Sequence, residues 1–180
     1  AVAAVAAVGV RGEGVARGLA TFPGLAHRQE QIASVDGISF VNDSKATNPV
    51  STARALACYE TVYWIAGGRA KDGGFDALDP YLERVTKAYL IGAAENELSR
   101  FLDGRIEFER SETLDVAVAS AIRDARSNGD QDGVVLLSPA CASFDQFRDF
   151  EDRGAAFRDL VAQHIQRDRL APAVAGGQAS

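Results

Sequence analysis

The stretch Asn42-Asp43-Ser44-Lys45-Ala46-Thr47-Asn48-Pro49 decides the fold of this 180-residue chain. An apolar run over residues 38–41 precedes it, and residues 51–57 have the composition of a helix. The layout is therefore strand, polar turn and helix. The Asp, Ser and Asn side chains are suited to cap the first free N–H groups of that helix, and the same helix end also suits an anion. A merely capped junction and an anion site both remain open at this point.

The rest of the chain alternates between strand and helix patterns. Asp36-Gly37 between two apolar runs predicts a β-hairpin. After the opening turn we predict strands at 61–66, 88–92, 106–108 and 133–137, and helices at 77–85, 96–102, 113–125 and 147–165. Such alternation predicts an α/β fold, with a doubly wound and mostly parallel sheet, an antiparallel edge hairpin and flanking helices.

The composition is that of a soluble globular protein, with 47% hydrophobic and 24% charged residues. The net charge of −6 gives no support for binding nucleic acid or a membrane. No apolar run is long enough to span a bilayer, and no signal peptide is visible. Two cysteines, Cys58 and Cys141, form no metal-ligand pattern, so we expect no metal site and a cytoplasmic location.

The N-terminal end suggests a piece of a longer protein. The chain contains no methionine and begins in an Ala/Val-rich run over residues 1–8, which suits a buried helix. Residues 9–14 are expected to break that helix, residues 15–20 to form a second short one, and residues 21–24 to form a turn and linker.

Three predicted strands end in polar loops that should share one edge of the sheet. The loops start at Asn42, Gly67 and Ser138, and they carry cationic and hydroxyl side chains: Lys45, Thr47, Arg69, Lys71 and Ser143. The chain has only three lysines, and two of them lie here. A cationic crevice in an acidic protein predicts an anionic substrate, such as a carboxylate or phosphate. Taken singly, Lys71 is also consistent with a solvated surface residue.

Other residues in this region leave alternatives open. Gly67-Gly68 and Gly73-Gly74 either let backbone N–H groups approach an oxyanion or form flexible turns. His27 is either a general base or a structural hydrogen-bonding residue. Arg28 is suited to bidentate phosphate binding and equally to an ion pair.

Several nucleophile and nucleotide motifs are absent from the sequence. Cys141 has no visible Cys-His-Asn arrangement and reads as a small packed residue, and Ser143 lacks the G-x-S-x-G elbow of hydrolases. Neither the P-loop pattern nor G-x-G-x-x-G occurs.

The loops resemble the Mur ligase family, and specifically its branch that adds D-glutamate. Four stretches carry the resemblance, in order along the chain: residues 21–28 (TFPGLAHR), 42–48 (NDSKATN), 67–68 (GG) and 137–147 (LSPACASFDQF). The resemblance implies a C-terminal Rossmann-like domain of an ATP-dependent, amide-forming ligase. We accordingly expect residues 1–25 to be the last helices of a central ATP-binding domain plus a linker, residues 26–167 to be the D-glutamate-binding domain, and residues 168–180 to be a disordered tail.

The resemblance also implies substrates and residue roles. The substrates would be ATP, UDP-N-acetylmuramoyl-L-alanine and D-glutamate, with Mg²⁺ bound mainly by the central domain. Arg28 would contact an ATP phosphate and Asp43 the nucleotide ribose. Lys71 would be both the candidate catalytic residue and one of the D-glutamate ligands, together with Lys45, Thr47, Ser143 and Phe150. The expected parent is a cytoplasmic monomer of peptidoglycan precursor synthesis, and the 180 residues alone are expected to be inactive. The alternative is a non-enzymatic binding module for an anionic metabolite.

Overall fold

The computed structural model describes residue 9, residues 12–22 and residues 24–175, in which six strands alternate with helices. The strands are β1 (Glu30–Val35), β2 (Ile38–Asn42), β3 (Val62–Gly67), β4 (Val85–Ile91), β5 (Phe108–Glu112) and β6 (Val134–Ala140). The helices are α1 (Gly12–Thr21), α2 (Pro49–Leu56), α3 (Glu95–Leu102), α4 (Leu114–Asn128) and α5 (Phe150–Ala175), with a 3₁₀ helix over Asp76–Arg84.

The strands form one sheet in the order β1-β2-β6-β3-β4-β5. β1 is antiparallel to β2, and every other pairing is parallel. The β1–β2 turn consists of Asp36 and Gly37, both with positive φ, as a tight hairpin turn of the primed type requires. The predicted doubly wound, mostly parallel sheet with an antiparallel edge hairpin is therefore confirmed.

Helices cover both faces of the sheet, as the side chains of the central strand β3 illustrate. Its side chains alternate, so that Trp64 belongs to one core cluster while Tyr63 and Ile65 belong to the other. The first cluster includes residues of α2, the 3₁₀ helix and α3, and the second includes residues of α4 and α5. All six residues of β3 are buried, as expected for a strand covered on both faces.

Helix α2 begins at Pro49, two residues before the predicted residues 51–57. The side chain of Asn48 accepts a hydrogen bond from the backbone N–H of Ser51 at 2.9 Å, and Pro49 occupies the first helical position. This junction places the turn over residues 43–47 at the carboxyl end of β2.

Two elements start two or more residues later than the sequence predicts. β5 begins at Phe108 instead of residue 106, because the carbonyl of Leu102 accepts from both Arg105 and Ile106 and holds Ile106 in a turn. α5 begins at Phe150 instead of residue 147, because Asp149 caps it by accepting from the N–H of Asp152 at 2.7 Å.

The termini also differ from the predictions. α1 starts at Gly12, so helix replaces part of the predicted break over residues 9–14. α5 continues to Ala175, so residues 168–175 are helical where a disordered tail was predicted. The predicted helix over residues 1–8 and the last five residues, 176–180, lie outside the described part. Within that part, no helix combines the length and the apolar character needed to cross a bilayer.

Candidate functional site

Three loops leave the same edge of the sheet, because β2, β6 and β3 are adjacent and parallel. We call them the first loop (residues 43–48, after β2), the second loop (residues 68–75, after β3) and the third loop (residues 141–149, after β6). Every predicted site residue except Arg28 and Phe150 lies in these three loops. The prediction that the three strand ends meet at one edge is confirmed.

Asp43 begins the first loop and is held by two donors. Its Oδ1 accepts from the backbone N–H of Gln29 at 3.1 Å, and its Oδ2 accepts from the hydroxyl of Ser138 at 2.8 Å. Burial raises the pKa of the Asp43 carboxyl above its ordinary value, although these two hydrogen bonds and the charge of Arg28 act in the opposite direction. Asp43 is thus a fixed acceptor near the surface of the sheet edge.

A cleft of about 140 Å³ opens beside Asp43. Arg28, Lys45 and Arg54 all line it, which places three cations beside one carboxylate. The full lining is Arg28, Gln29, Asp43, Lys45, Ala46, Ser51 and Arg54. Two larger grooves, of about 450 and 610 Å³, flank α5 and contain none of the predicted site residues.

The predicted D-glutamate ligands fall into two contacting pairs and a fifth residue. Lys45 Nζ lies 4.0 Å from the centroid of the Phe150 ring, a cation–π contact between the first loop and the start of α5. Lys71 Nζ donates to Thr47 Oγ1 at 3.4 Å, which joins the second loop to the first. Ser143 is buried in the third loop. Lys71, Thr47, Ser143 and Phe150 are not among the residues that line the 140 Å³ cleft.

The second and third loops are joined by their backbones. Arg69 and Ala142 exchange two hydrogen bonds, at 2.8 and 3.0 Å. Because Lys71 follows Arg69 by two residues and Ser143 follows Ala142 directly, this pairing fixes the spacing between their backbones.

Gly67 and Gly68 pack tightly against neighbouring backbone and do not form an open anion cradle. A Cβ on Gly67 would lie 1.9 Å from the carbonyl oxygen of Ile91, and one on Gly68 would lie 2.2 Å from that of Ala142. The N–H of Gly68 already donates to the Ile91 carbonyl at 3.0 Å. The two glycines therefore allow the end of β3 to pack closely against neighbouring backbone. This role differs from both sequence interpretations, an oxyanion site and a flexible turn.

His27 has the contacts of a structural residue. Its Nδ1 accepts from the Asn42 side-chain amide at 3.0 Å, and its ring lies so close to Gly154 that a Cβ there would meet Nδ1 at 2.1 Å. The backbone carbonyl of His27 accepts a hydrogen bond from the backbone N–H of Lys45 at 3.0 Å. Of the two roles considered for His27, the structural one fits this geometry.

Cys141 is fully buried, and burial raises the pKa of its thiol to about 12. The thiol is therefore protonated at neutral pH, which agrees with the interpretation of Cys141 as a small packed residue.

Arg153 is a residue of the site region that sequence reasoning missed. It lies on α5, is fully buried, and makes five hydrogen bonds from its guanidinium. The acceptors are Ser44 Oγ and the backbone carbonyls of Ser44, Gly67 and Cys141. Burial lowers its pKa to about 10, which still leaves it charged at neutral pH. A signal was present, because Arg153, Phe157 and Val161 recur every four residues on the core-facing side of α5.

The family of this chain follows from a comparison with known protein families. A family model described as "Mur ligase, glutamate ligase domain" matches residues 27–141. The chain belongs to that family. The resemblance given by the loop sequences is thereby confirmed for the larger part of this Mur ligase domain, from His27 near the start of the sheet to Cys141 in the third loop.

Curated relatives of this Mur ligase domain include proteins named "UDP-N-acetylmuramoylalanine--D-glutamate ligase". The protein from Rhodopseudomonas palustris (strain HaA2) is 56% identical over 86% of this chain and 33% of its own length. That from Brucella abortus (strain 2308) is 51% identical over 89% of this chain and 35% of its own length. The chain thus spans about a third of the length of the curated relatives it matches.

A solved structure, the bifunctional folylpolyglutamate synthase/dihydrofolate synthase from Yersinia pestis CO92, is similar with a TM-score of 0.47 and 20% identity. The match covers 86% of this chain and 35% of that one.

Proposed function

We propose that this Mur ligase domain is the C-terminal third of an ATP-dependent ligase that joins D-glutamate to UDP-N-acetylmuramoyl-L-alanine. One observation carries the proposal, namely 56% identity over 86% of the chain to a protein named as that ligase. The cationic loops at the sheet edge support it, since D-glutamate is a dicarboxylate and two lysines with hydroxyl partners suit its binding. We propose that residues 26–167 form the D-glutamate-binding domain and that residues 1–25 are the end of a central ATP-binding domain plus a linker.

The reaction has two steps. ATP transfers its terminal phosphoryl group to the carboxylate of UDP-N-acetylmuramoyl-L-alanine, which gives an acyl phosphate and ADP. The amine of D-glutamate then attacks the acyl carbon, and the tetrahedral intermediate releases inorganic phosphate and a proton to leave the amide. The residues of this chain act in both steps by orientation, since holding the amine close to the acyl phosphate lowers the entropic cost of attack.

The proposed roles follow the two sides of the first loop. Arg28 contacts an ATP phosphate from the 140 Å³ cleft, and the fixed carboxylate of Asp43 accepts from the ribose hydroxyls. Lys45, held over Phe150, pairs with one carboxylate of D-glutamate. Lys71 and Thr47, which share a hydrogen bond, bind the other. Lys71 is the candidate catalytic cation, whose positive charge would stabilise negative charge that develops in the transition state.

Ser143 completes the proposed amino-acid site from the third loop. Its buried position places a hydroxyl, a donor that suits a carboxylate oxygen, close to the backbone pairing of Arg69 and Ala142.

Magnesium would neutralise phosphate charge in this reaction when bound. In residues 12–22 and 24–175, no group of three or more His, Cys, Asp or Glu side chains is arranged to hold a metal ion. We propose that Mg²⁺ is held mainly by the central domain of the ligase, as the family resemblance implies.

We further propose that the parent ligase is cytoplasmic and monomeric, acts in peptidoglycan precursor synthesis, and has only small-molecule partners. The net charge of −6 supports the proposed lack of nucleic-acid and membrane partners. The alternative of a non-enzymatic binding module for an anionic metabolite gains no support from the relatives above, which are named as ligases.

A chimaera tests the proposal directly. Residues 1–180 would replace the aligned third of the Rhodopseudomonas palustris ligase, and phosphate release would be measured with ATP, UDP-N-acetylmuramoyl-L-alanine and D-glutamate. We expect D-glutamate-dependent release from the chimaera and none from the 180 residues alone. In the chimaera, Lys45→Ala should lower kcat/KM for D-glutamate about 100-fold, the loss expected for one charge-assisted contact of about 2.7 kcal/mol.

The matched control is Lys87→Ala, since Lys87 is the third lysine of the chain and binds Asp124, away from the loops. An unchanged kcat/KM in Lys45→Ala would remove Lys45 from the site. Release that does not depend on D-glutamate would contradict the proposed substrate.

A further inference from the structure

Arg153 connects the first loop, the third loop and the end of β3, from which the second loop leaves, to one side chain. Its Nε donates to Ser44 Oγ at 3.0 Å and one terminal nitrogen to the Ser44 carbonyl at 2.9 Å, in the first loop. The carbonyl of Gly67, immediately before the second loop, accepts at 3.4 Å, and that of Cys141, in the third loop, accepts twice at 3.2 Å. These five contacts match the five N–H donors of a guanidinium.

The acceptors lie close in sequence to the proposed ligands of D-glutamate. Ser44 directly precedes Lys45, and Cys141 is two residues before Ser143. Ser44 also donates through its hydroxyl to the carbonyl of Phe150 at 2.8 Å, which links the same network to the ring below Lys45. A shift of the guanidinium would therefore move groups on each side of the proposed amino-acid site.

The acceptors are neutral backbone and hydroxyl groups, and no ion pair of Arg153 is found among the described residues. A fully buried cation of this kind is costly, and an apolar side chain at the same place in α5 would extend the core of Phe157 and Val161. Stability alone therefore does not account for an arginine here. The arginine is explained by its planar guanidinium, which can donate hydrogen bonds to carbonyls in three directions at once. A lysine ammonium cannot reproduce that geometry.

We propose that Arg153 is a positioning residue for the amino-acid substrate, which sets the relative places of the three site loops without touching the ligand. The inference rests on the proposed function. In it, Arg153 keeps Lys45, Lys71 and Ser143 at fixed positions relative to one another. Asp43 is anchored separately by Gln29 and Ser138, so the nucleotide side of the first loop depends less on Arg153.

The test uses Arg153→Lys and Arg153→Ala in the chimaera. We expect Arg153→Lys to raise KM for D-glutamate at least tenfold while KM for ATP changes less than threefold. Added methylguanidinium should restore part of the activity of Arg153→Ala, because it can fill the vacated site between the loops. The control is Arg158→Lys, an arginine on the same helix whose ion pair with Glu30 lies outside the network, and it should leave both KM values unchanged.

Hydrogen exchange of the 180-residue chain gives a readout that does not depend on ligase activity. Arg153→Lys should speed amide exchange in all three site loops together and leave α4 and β4 unchanged. Equal KM values in Arg153→Lys and the wild type, equal rises for every substrate, or faster exchange confined to α5 would each overturn the inference. An inactive wild-type chimaera would instead contradict the proposed function, and the exchange experiment would still decide the role of Arg153.

Discussion

Replacing Gly68 by alanine should destabilise the chain by about 3 kcal/mol, whereas the same change at Gly73 should cost about 1 kcal/mol. Both glycines have a φ that L-residues rarely adopt, +124° at Gly68 and +110° at Gly73. They differ in their surroundings. A Cβ on Gly68 would lie 2.2 Å from the Ala142 carbonyl oxygen, whereas a Cβ on Gly73 would have nothing within 4 Å.

The magnitudes follow from three contributions. Backbone strain at either position costs about 1–3 kcal/mol, and the reduced entropy of the unfolded alanine chain offsets about 0.4–1 kcal/mol of that. At Gly68 the clash with backbone adds about 1–3 kcal/mol, because the Arg69–Ala142 pairing prevents the third loop from retreating freely. The difference between the two variants therefore isolates the close approach of the second and third loops.

Urea unfolding of the 180-residue chain, followed by circular dichroism, measures both variants. With an m value of about 2 kcal/mol/M, the midpoint for Gly68→Ala should fall about 1 M below that for Gly73→Ala. Coincident midpoints would refute the reasoning, since the cost would then come from φ alone and the contact with Ala142 would contribute nothing.

Two further variants test the site itself. Burial raises the pKa of the Asp43 carboxyl, so the folded chain binds the carboxyl proton more tightly than the unfolded chain does. The resulting contribution to the free energy of unfolding is fully present below the ordinary pKa near 4 and is lost as pH rises through the raised pKa. Unfolding free energies from pH 4 to 7 should therefore fall for the wild type relative to Asp43→Asn, and a pH-independent difference would contradict this. Phe150→Leu removes the ring beneath Lys45 and should raise KM for D-glutamate about two- to fivefold in the chimaera, the equivalent of about 0.5–1 kcal/mol. Phe147→Leu is the control, and an equal effect of both changes would argue against the cation–π contact.

The sequence predicted the parts of the fold that depend on local signals. Asp36-Gly37 requires positive φ, and Asn48-Pro49 supplies a cap and a first helical residue, so the hairpin and α2 follow from a few neighbouring residues. The meeting of the loops at one edge followed from parallel pairing alone, which needs no knowledge of individual contacts.

Two features that the sequence did not predict depend on contacts distant in the chain. The spacing of Arg153 with Phe157 and Val161 indicates its helix face, but only the contact with Ser44, 109 positions away, shows why an arginine lies there. The tight packing of Gly68 likewise depends on Ala142, which no local pattern indicates. The late start of α5 had a local signal, the cap by Asp149, but the aromatic spacing that includes Phe147 outweighed it.

The strand order has a consequence for how this domain is made. β6 is the last strand in the chain, yet it lies between β2 and β3 and pairs with both. While the chain is being synthesised, the two halves of the sheet therefore have no bridging strand until residues 134–140 have left the ribosome. Closure of the sheet depends on pairings across about 70 to 100 residues, a topology that slows folding. An intermediate that lacks β6 would expose the edges of both β2 and β3, the kind of surface on which aggregation begins.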